Sequence, residues 1–269
     1  MAHPLNVAML GASGRMGRTI VPLVLEGRDF RLTGALAAPG DPAIGQVAGV
    51  VAGVAPMAVA VTDDAAAALA GAQVAIDFTL PAVSIASARL CRELGCAMVI
   101  GTTGYDNAQR AELEAISSTV PLVLAPNMSL GVNLLFKLAE LAARALDADY
   151  DIEICEAHHR NKVDAPSGTA LGLGQAAARG RGTTLDAVGE YVRHGQTGAR
   201  ARGKIGFSVI RGGDIVGDHR LIFAGLGEQL ELAHHAQDRS GFARGALVAA
   251  RWVVGRPPGL YSMQDVLGL

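Results

Sequence analysis

Cysteine is scarce in this chain of 269 residues: there are three, Cys91, Cys96 and Cys155. None stands in a C-x-x-C pair, and no histidine cluster completes a zinc-ligand set around them. That excludes a disulfide scaffold and predicts free thiols in a cytoplasmic protein with no metal centre. A positive excess is also missing. The formal net charge is −2, which leaves no broad basic surface for nucleic acid. Residues 1 to 10 lack the basic n-region of a secretory signal, and cleavage would remove the motif that begins at Gly11. One uncharged stretch, Pro42 to Thr62, has the length of a membrane span. It is mostly Ala, Gly and Val and is broken by Pro56, whereas a spanning helix needs about twenty strongly apolar residues. It predicts a loop with a short strand, and no insertion into a membrane. Internal repeats are absent. The length suffices for two modest domains with their own cores.

What is present begins with an apolar run, Leu5 to Leu10, which ends on G-A-S-G-R-M-G, Gly11 to Gly17. A helical pattern follows through Ile20, Val21, Leu23, Val24 and Leu25, and Arg31 to Ala38 reads as a second strand. This order is the opening of a dinucleotide-binding unit. Gly11 permits the tight turn, Gly14 lets backbone approach a pyrophosphate, and Gly17 lets helix and strand pack closely. The spacing is G-x-x-G-x-x-G rather than G-x-G-x-x-G, so the motif alone leaves open a strand–turn–helix without a ligand. The alternation continues: strand Val74 to Phe78, helix Ala82 to Leu94, strand Ala97 to Ile100, helix Asn107 to Ser117, strand Leu122 to Ala125. Ala65 to Ala70 reads as helix. Strands separated by helices of this length predict a parallel sheet with helices on both faces. Ligands bind such sheets at the C-terminal strand ends. The turns there are Gly11 to Met16 (with Ala12, Ser13, Gly14 and Arg15 between), Asp77 to Thr79, Gly101-Thr102-Thr103 and Ala125-Pro126-Asn127-Met128.

After Gly131 a long helix runs to about Asp147, and the pattern then changes. Asp151 to Ala157, Ile205 to Arg211, Asp214 to Phe223 and Glu228 to His235 read as strands. Gly212 to Asp214 and Leu226-Gly227 read as hairpin turns, giving an antiparallel or mixed sheet. Gly180 to Gly206 reads as a crossover loop. From Ser240 the helical period returns. The prediction is an α/β chain. A Rossmann-like dinucleotide-binding domain takes residues 1–129 with 240–269. An α+β domain on a mixed sheet takes residues 130–239. The chain crosses between them near Met128 to Gly131 and Asp238 to Gly241.

Within the second region lies the densest chemistry, E-A-H-H-R-N-K-V-D-A-P-S-G-T, Glu156 to Thr169. It follows a strand and runs into a helix start at Ser167-Gly168-Thr169, where free N–H groups bind anions. Lys162 and Arg160 add positive charge, and His158 and His159 are the side chains suited to moving a proton near neutral pH. A satisfied strand histidine remains the bland alternative for His158. His159 is expected on the opposite side of the strand unless the strand has ended. His234 and His235 read as surface strand residues, and Arg239 as a weaker candidate for substrate contact.

These motifs occur in order: the glycine turn, I-D-F-T, V-I-G-T-T-G, N-M-S-L-G-V-N, E-A-H-H-R-N-K-V-D-A-P-S-G-T and G-D-I-V-G-D-H. With them the chain closely resembles the dihydrodipicolinate reductase family over nearly its whole length. The resemblance implies NADH- or NADPH-dependent reduction of 4-hydroxy-tetrahydrodipicolinate in the diaminopimelate route to lysine, by a homotetramer in which residues 130–239 serve substrate binding and oligomerisation. It implies a proton donor at His158, an essential lysine at Lys162, and substrate binding by His159, Lys162, Gly168 and Thr169. It implies cofactor contacts at Gly11 to Met16, Gly101 to Thr103 and Ala125 to Met128. The pattern departs where family members often place an acid, sometimes followed by Arg, at the end of the second strand; here Ala37-Ala38 stand. Neither residue can bind the adenosine ribose diol or a 2′-phosphate. Arg15, Arg18 or Asp41 could bias the choice, so dual use within about 2 kcal/mol is expected. The other readings are a different two-domain NAD(P)-dependent reductase, such as one acting on a semialdehyde or a sugar, and a dinucleotide sensor without catalysis. A thioester-forming semialdehyde enzyme would need an activated Cys, which none of the three resembles. A sensor has no need of the His–Lys cluster.

Overall fold

A computed structural model describes residues 3–55 and 59–269. Pro56, invoked above as the break in the uncharged stretch, lies outside the described residues. The chain divides into one compact unit of Met1–Leu130 with Arg239–Gly268 and another of Gly131–Asp238. No helix among the described residues is long and apolar enough to cross a membrane.

The first unit is built on β1 (Leu5–Leu10), β2 (Phe30–Leu36), β3 (Val61–Thr62), β4 (Val74–Asp77), β5 (Ala97–Ile100) and β6 (Pro121–Leu124). With Gly259–Tyr261 on the far edge, the order is Gly259–Tyr261, β6, β5, β4, β1, β2, β3. Every pairing is parallel. The sequence explains the layering. β4 and β5 are buried at every position, as strands covered by helices on both faces must be. The helices carry their own stop and start signals. Pro81 opens Pro81–Leu94, which ends on Gly95 in the left-handed region at φ +64, where Gly is the unstrained choice. Asp106 and Gln109 form a capping box for Asn107–Ser117. The helix Ser240–Val253 puts Ala243, Ala246, Ala249, Ala250 and Val253 into the same core as Val7, Met9 and Ile76.

The second unit holds β7 (Asp151–His158), β8 (Gly189–Glu190), β9 (Ile205–Arg211), β10 (Gly217–Ala224) and β11 (Gln229–Ala236), in the order β11, β10, β7, β9, β8. β10 is antiparallel to both β7 and β11, while β9 is parallel to β7. Gly212 to Asp214 is therefore not a hairpin turn, contrary to the expectation from spacing. It bridges β9 to β10 across the end of β7, which lies between them. Parallel β7 and β9 need a crossover, and the helix Gly168–Gly180 provides part of it. The rest, expected as loop, contains a short helix Leu185–Val188 and β8. Arg200 of that segment is tied to Asp151 and Glu153. The core face of β7 carries Ile152 and Ile154, packed with Leu173, Phe207, Leu221 and Phe223. Period-two alternation puts Glu156 and His158 on that same face.

Candidate active site

β7 ends in a buried polar cluster. Glu156 is 2 % exposed and His158 9 %, so each must find partners within the protein. Glu156 Oε2 lies 2.6 Å from His158 Nδ1. Arg211, at the end of β9, donates from Nη1 to Glu156 Oε2 at 2.8 Å and from Nη2 to Oε1 at 2.7 Å. The Ser167 backbone N–H donates to Oε1 at 3.0 Å. Burial pushes the Glu156 carboxyl up, but Arg211, His158 and the Ser167 N–H together outweigh it and leave the group below its ordinary value. An ionised carboxylate only accepts, so His158 Nδ1 carries the proton in that bond, and Nε2 is the nitrogen left to exchange one. Gly217 makes room for it: a Cβ there would stand 3.1 Å from His158 Nε2.

His219 of β10 packs edge-on against His158 with ring centroids 5.1 Å apart. Its Nε2 is 3.1 Å from Ser167 Oγ, and Ser167 Oγ in turn accepts the Ala170 N–H as the cap of the helix Gly168–Gly180. Burial first, then the charge of His158, lowers His219 to about 4. It is therefore neutral at pH 7 and acts as packing and a hydrogen-bond partner.

β7 stops at His158, so His159 escapes strict alternation. Its Nδ1 is buried with no hydrogen-bond partner among the described residues. The Lys162 N–H donates to the His159 carbonyl at 3.1 Å, and Lys162 Nζ pairs with Asp164 Oδ1 at 2.8 Å. Lys162 draws the Asp164 carboxyl below its usual range. The helix start at Gly168 is exposed and Thr169 half-buried. The second histidine pair divides: His235 is exposed beside Asp218, whereas His234 is half-buried and burial lowers it, so it is not the surface residue expected.

In the first unit the glycine turn has the form a dinucleotide requires. Gly11 sits at φ +83, and a Cβ there would be 2.8 Å from the Phe78 carbonyl. A Cβ on Gly17 would strike the Gly11 and Ala12 backbone. Gly14 caps the helix Arg15–Glu26 without a side chain, which leaves first-turn N–H groups for an anion. Gly11, Ser13 and Gly14 line a cleft of about 550 Å³ together with Ala37, Ala38, Asp41, Asp63 and Thr79. Ala12, Thr102, Ala125 and Met128 are buried; Arg15, Thr103 and Pro126 are exposed. The Thr102 hydroxyl donates to Asp77 Oδ2 at 2.7 Å and accepts the Thr79 N–H at 2.9 Å. Thr79 Oγ1 donates to Asp77 Oδ1 at 2.6 Å. Thr102 is thus a brace between two turns. Burial raises Asp77 against its hydrogen bonds from Ser84, Thr79 and Thr102. Cys91 and Cys96 are buried and Cys155 half-buried, all free.

The sequence pattern points to His158, Lys162 and the helix start, but not to Glu156, Arg211, Ser167 and His219 as the groups that hold His158 and the helix start in place. The i, i+2 spacing of Glu156 and His158 was the available signal. Asp77 carries no signal in the sequence beyond its place in a turn.

Two family models match the chain: "Dihydrodipicolinate reductase, N-terminus" over residues 5–128 and "Dihydrodipicolinate reductase, C-terminus" over residues 131–267. The 4-hydroxy-tetrahydrodipicolinate reductase of Thiobacillus denitrificans is 57 % identical over 98 % of each chain. That of Nitrosomonas europaea is 52 % identical over 99 % of each. Among solved structures, a dipicolinate-bound dihydrodipicolinate reductase from Paenisporosarcina sp. TG-14 superposes with a TM-score of 0.78 at 24 % identity, covering 97 % of this chain and 98 % of that one. The last match speaks to the fold.

Proposed function

The chain belongs to the dihydrodipicolinate reductase family, and from that premise we propose how its residues reduce 4-hydroxy-tetrahydrodipicolinate to tetrahydrodipicolinate in the diaminopimelate route to lysine. In the net reaction the substrate gains a hydride and a proton and loses water. NADH or NADPH, when bound, supplies the hydride. Residues 1–129 with 240–269 form the cofactor domain. It holds the pyrophosphate on Gly11 to Met16 and the nicotinamide end on Gly101 to Thr103 and Ala125 to Met128. Residues 130–239 hold the substrate. His158 delivers the proton from Nε2 while Glu156 keeps Nδ1 occupied; a positioned acid of this kind contributes about 10²–10⁴-fold. Lys162 leaves Asp164 for a substrate carboxylate and assists loss of the 4-hydroxyl group. The Gly168-Thr169 helix start binds a carboxylate through backbone N–H groups. His159, with its spare buried Nδ1, completes the substrate contacts.

The observation that carries this reading is the buried Glu156 carboxylate, which binds His158 Nδ1 and the Ser167 N–H at once. It fixes the proton donor and the carboxylate-binding helix start to one anchor. The protein works in the cytoplasm as a homotetramer assembled through the mixed sheet, whose Ile210 is 58 % exposed and Leu230 41 %. Oxidation of NADH and NADPH, followed with and without the cyclic substrate, tests the assignment. Substrate-dependent turnover is expected. Turnover of another carbonyl compound instead would favour a different reductase, and cofactor binding without turnover a sensor. Light scattering on the purified protein checks the tetramer.

A further inference from the structure

The end of β2 offers no acid for the adenosine ribose, yet the loop after it supplies one from a different position. Ala38 to Asp41 (A-P-G-D) closes a tight turn in which the Asp41 N–H donates to the Ala38 carbonyl at 3.0 Å. Pro39 and Gly40 occupy its centre, with Gly40 at φ +78, the pattern of a type II turn. The turn folds the chain back onto the glycine loop. There Ser13 Oγ donates to Asp41 Oδ2 at 2.7 Å, and the Ala43 N–H donates to Oδ1 at 2.8 Å. Each carboxylate oxygen keeps acceptor capacity for a further donor. Asp41 lines the same cleft as Gly11 and Gly14, as does Asp63; no Arg or Lys is among the lining residues.

We propose that Asp41 is the specificity-determining residue of the cofactor cleft: its carboxylate accepts from the adenosine ribose diol and, with Asp63, repels a 2′-phosphate, so this chain prefers NADH. The proposal rests on the reductase reading only in assuming a dinucleotide. A diol donates to a carboxylate, while a phosphate dianion beside one is a like-charge pair with no donor between them. Ser13 and the Ala43 N–H hold the Asp41 carboxyl below its ordinary value, so it is an anion at neutral pH. The charge of Arg18 acts on Asp41, but its Nε is committed to the Ser13 carbonyl at 2.8 Å.

The test is a fluorescence titration of NADH and NADPH against wild type, Asp41→Ala, Asp41→Asn and Asp63→Asn, without substrate. Wild type is expected to bind NADH about tenfold more tightly than NADPH. The ratio should fall to about one in both Asp41 variants, through a loss of NADH affinity together with a gain in NADPH affinity, and by about two- to threefold in Asp63→Asn. In wild type the ratio should also narrow as salt rises from 0.01 to about 0.15 M, because screening weakens repulsion. That measurement needs no variant to fold. Equal wild-type affinities, tighter NADPH binding, a ratio unmoved by Asp41→Ala, or one that widens with salt would overturn the proposal. Failure to reduce the cyclic substrate would sink the reductase reading and leave these binding ratios untouched.

Discussion

At the end of β7, Glu156, His158, Arg211 and Ser167 hold one another chiefly through side chains in a buried cluster. At the end of β1, Gly11, Gly14 and Gly17 present backbone alone. The difference follows from what the proposed function asks of each site. A proton donor has to be one particular nitrogen in one orientation, and a carboxylate with an Arg partner can impose that. A pyrophosphate asks only for N–H groups and close approach, and any Cβ is an obstacle. Substitutions in the first site should therefore cost stability and chemistry together. In the second, removing a side chain other than that of Asp41 should cost little.

The largest effect is expected at Glu156. Glu156→Ala leaves the Arg211 guanidinium, the His158 ring and the Ser167 N–H without their acceptor. Removing one partner of a buried pair costs about 3–5 kcal/mol. A chemical-denaturation midpoint well below wild type is the expected result. An unchanged midpoint would mean the cluster does not hold the fold at all.

His158→Gln removes the proposed proton donor without emptying the space. It should lower kcat by about 10²–10³ with a modest change in cofactor binding. Steady-state kinetics beside a cofactor titration separate the two effects, and an unaltered kcat would strip His158 of its acid role.

The third effect belongs to His219. Its value falls from 6.5 to about 4 on folding, chiefly by burial. Between those values the unfolded chain binds more protons than the folded one, so stability rises with pH there. The contribution is fully present above pH 6.5 and is lost as pH falls toward 4. A shift of this size corresponds to about 3 kcal/mol. Denaturation curves from pH 7 to 4 should show the loss, and His219→Gln should flatten that slope. An equally steep slope in the variant would place the acid sensitivity elsewhere.

How far the sequence reveals this comparison depends on where the partners come from. The parallel sheet was legible because apolar strands and helices alternate at regular spacing, and His158 and Lys162 because they stand in one short charged string. Glu156 stands in that string too, two residues from His158 and so on the same face of a strand. Its partner Arg211 lies 55 residues away and His219 lies 52 beyond Ser167. Periodicity within a segment says nothing about which distant strand lies beside it. The same blindness made Gly212 to Asp214 look like a hairpin turn, because local pattern does not distinguish β9 beside β10 from β9 beside β7. Asp41 shows the opposite case. Pro39-Gly40 is a strong turn signal, and the return of the loop onto Ser13 was within reach of the sequence.

Lys162 lies between the two kinds of site, since it is half-buried and, among the described residues, its ammonium pairs with the exposed Asp164. Lys162→Ala should raise KM and lower kcat, through loss of a charge-assisted carboxylate contact of about 1.5–3 kcal/mol. Because its ion pair is largely solvated, stability should move by less than about 1 kcal/mol. A folded variant with wild-type kcat/KM would remove Lys162 from the site.

The smallest effect is expected at Thr103, and there the comparison is most exposed to failure. Thr103 follows Thr102, whose hydroxyl is committed to Asp77 and the Thr79 N–H. Thr103 itself is exposed. Two residues back, a Cβ on Gly101 would run into the Phe78 ring, 2.7 Å from its Cδ1. The turn is thus shaped by a missing side chain at Gly101 and a buried hydroxyl at Thr102, and Thr103 needs to contribute only its backbone. Thr103→Ala keeps that backbone and its conformational preferences close to wild type. Exposed substitutions of this kind stay within about 0.5 kcal/mol, which is about twofold in a dissociation constant. Titration of NADH against the variant should therefore overlay wild type within that factor. A loss of tenfold or more would mean that the Thr103 hydroxyl binds the cofactor directly, and that recognition by side chains extends beyond Asp41 to the Gly101 turn.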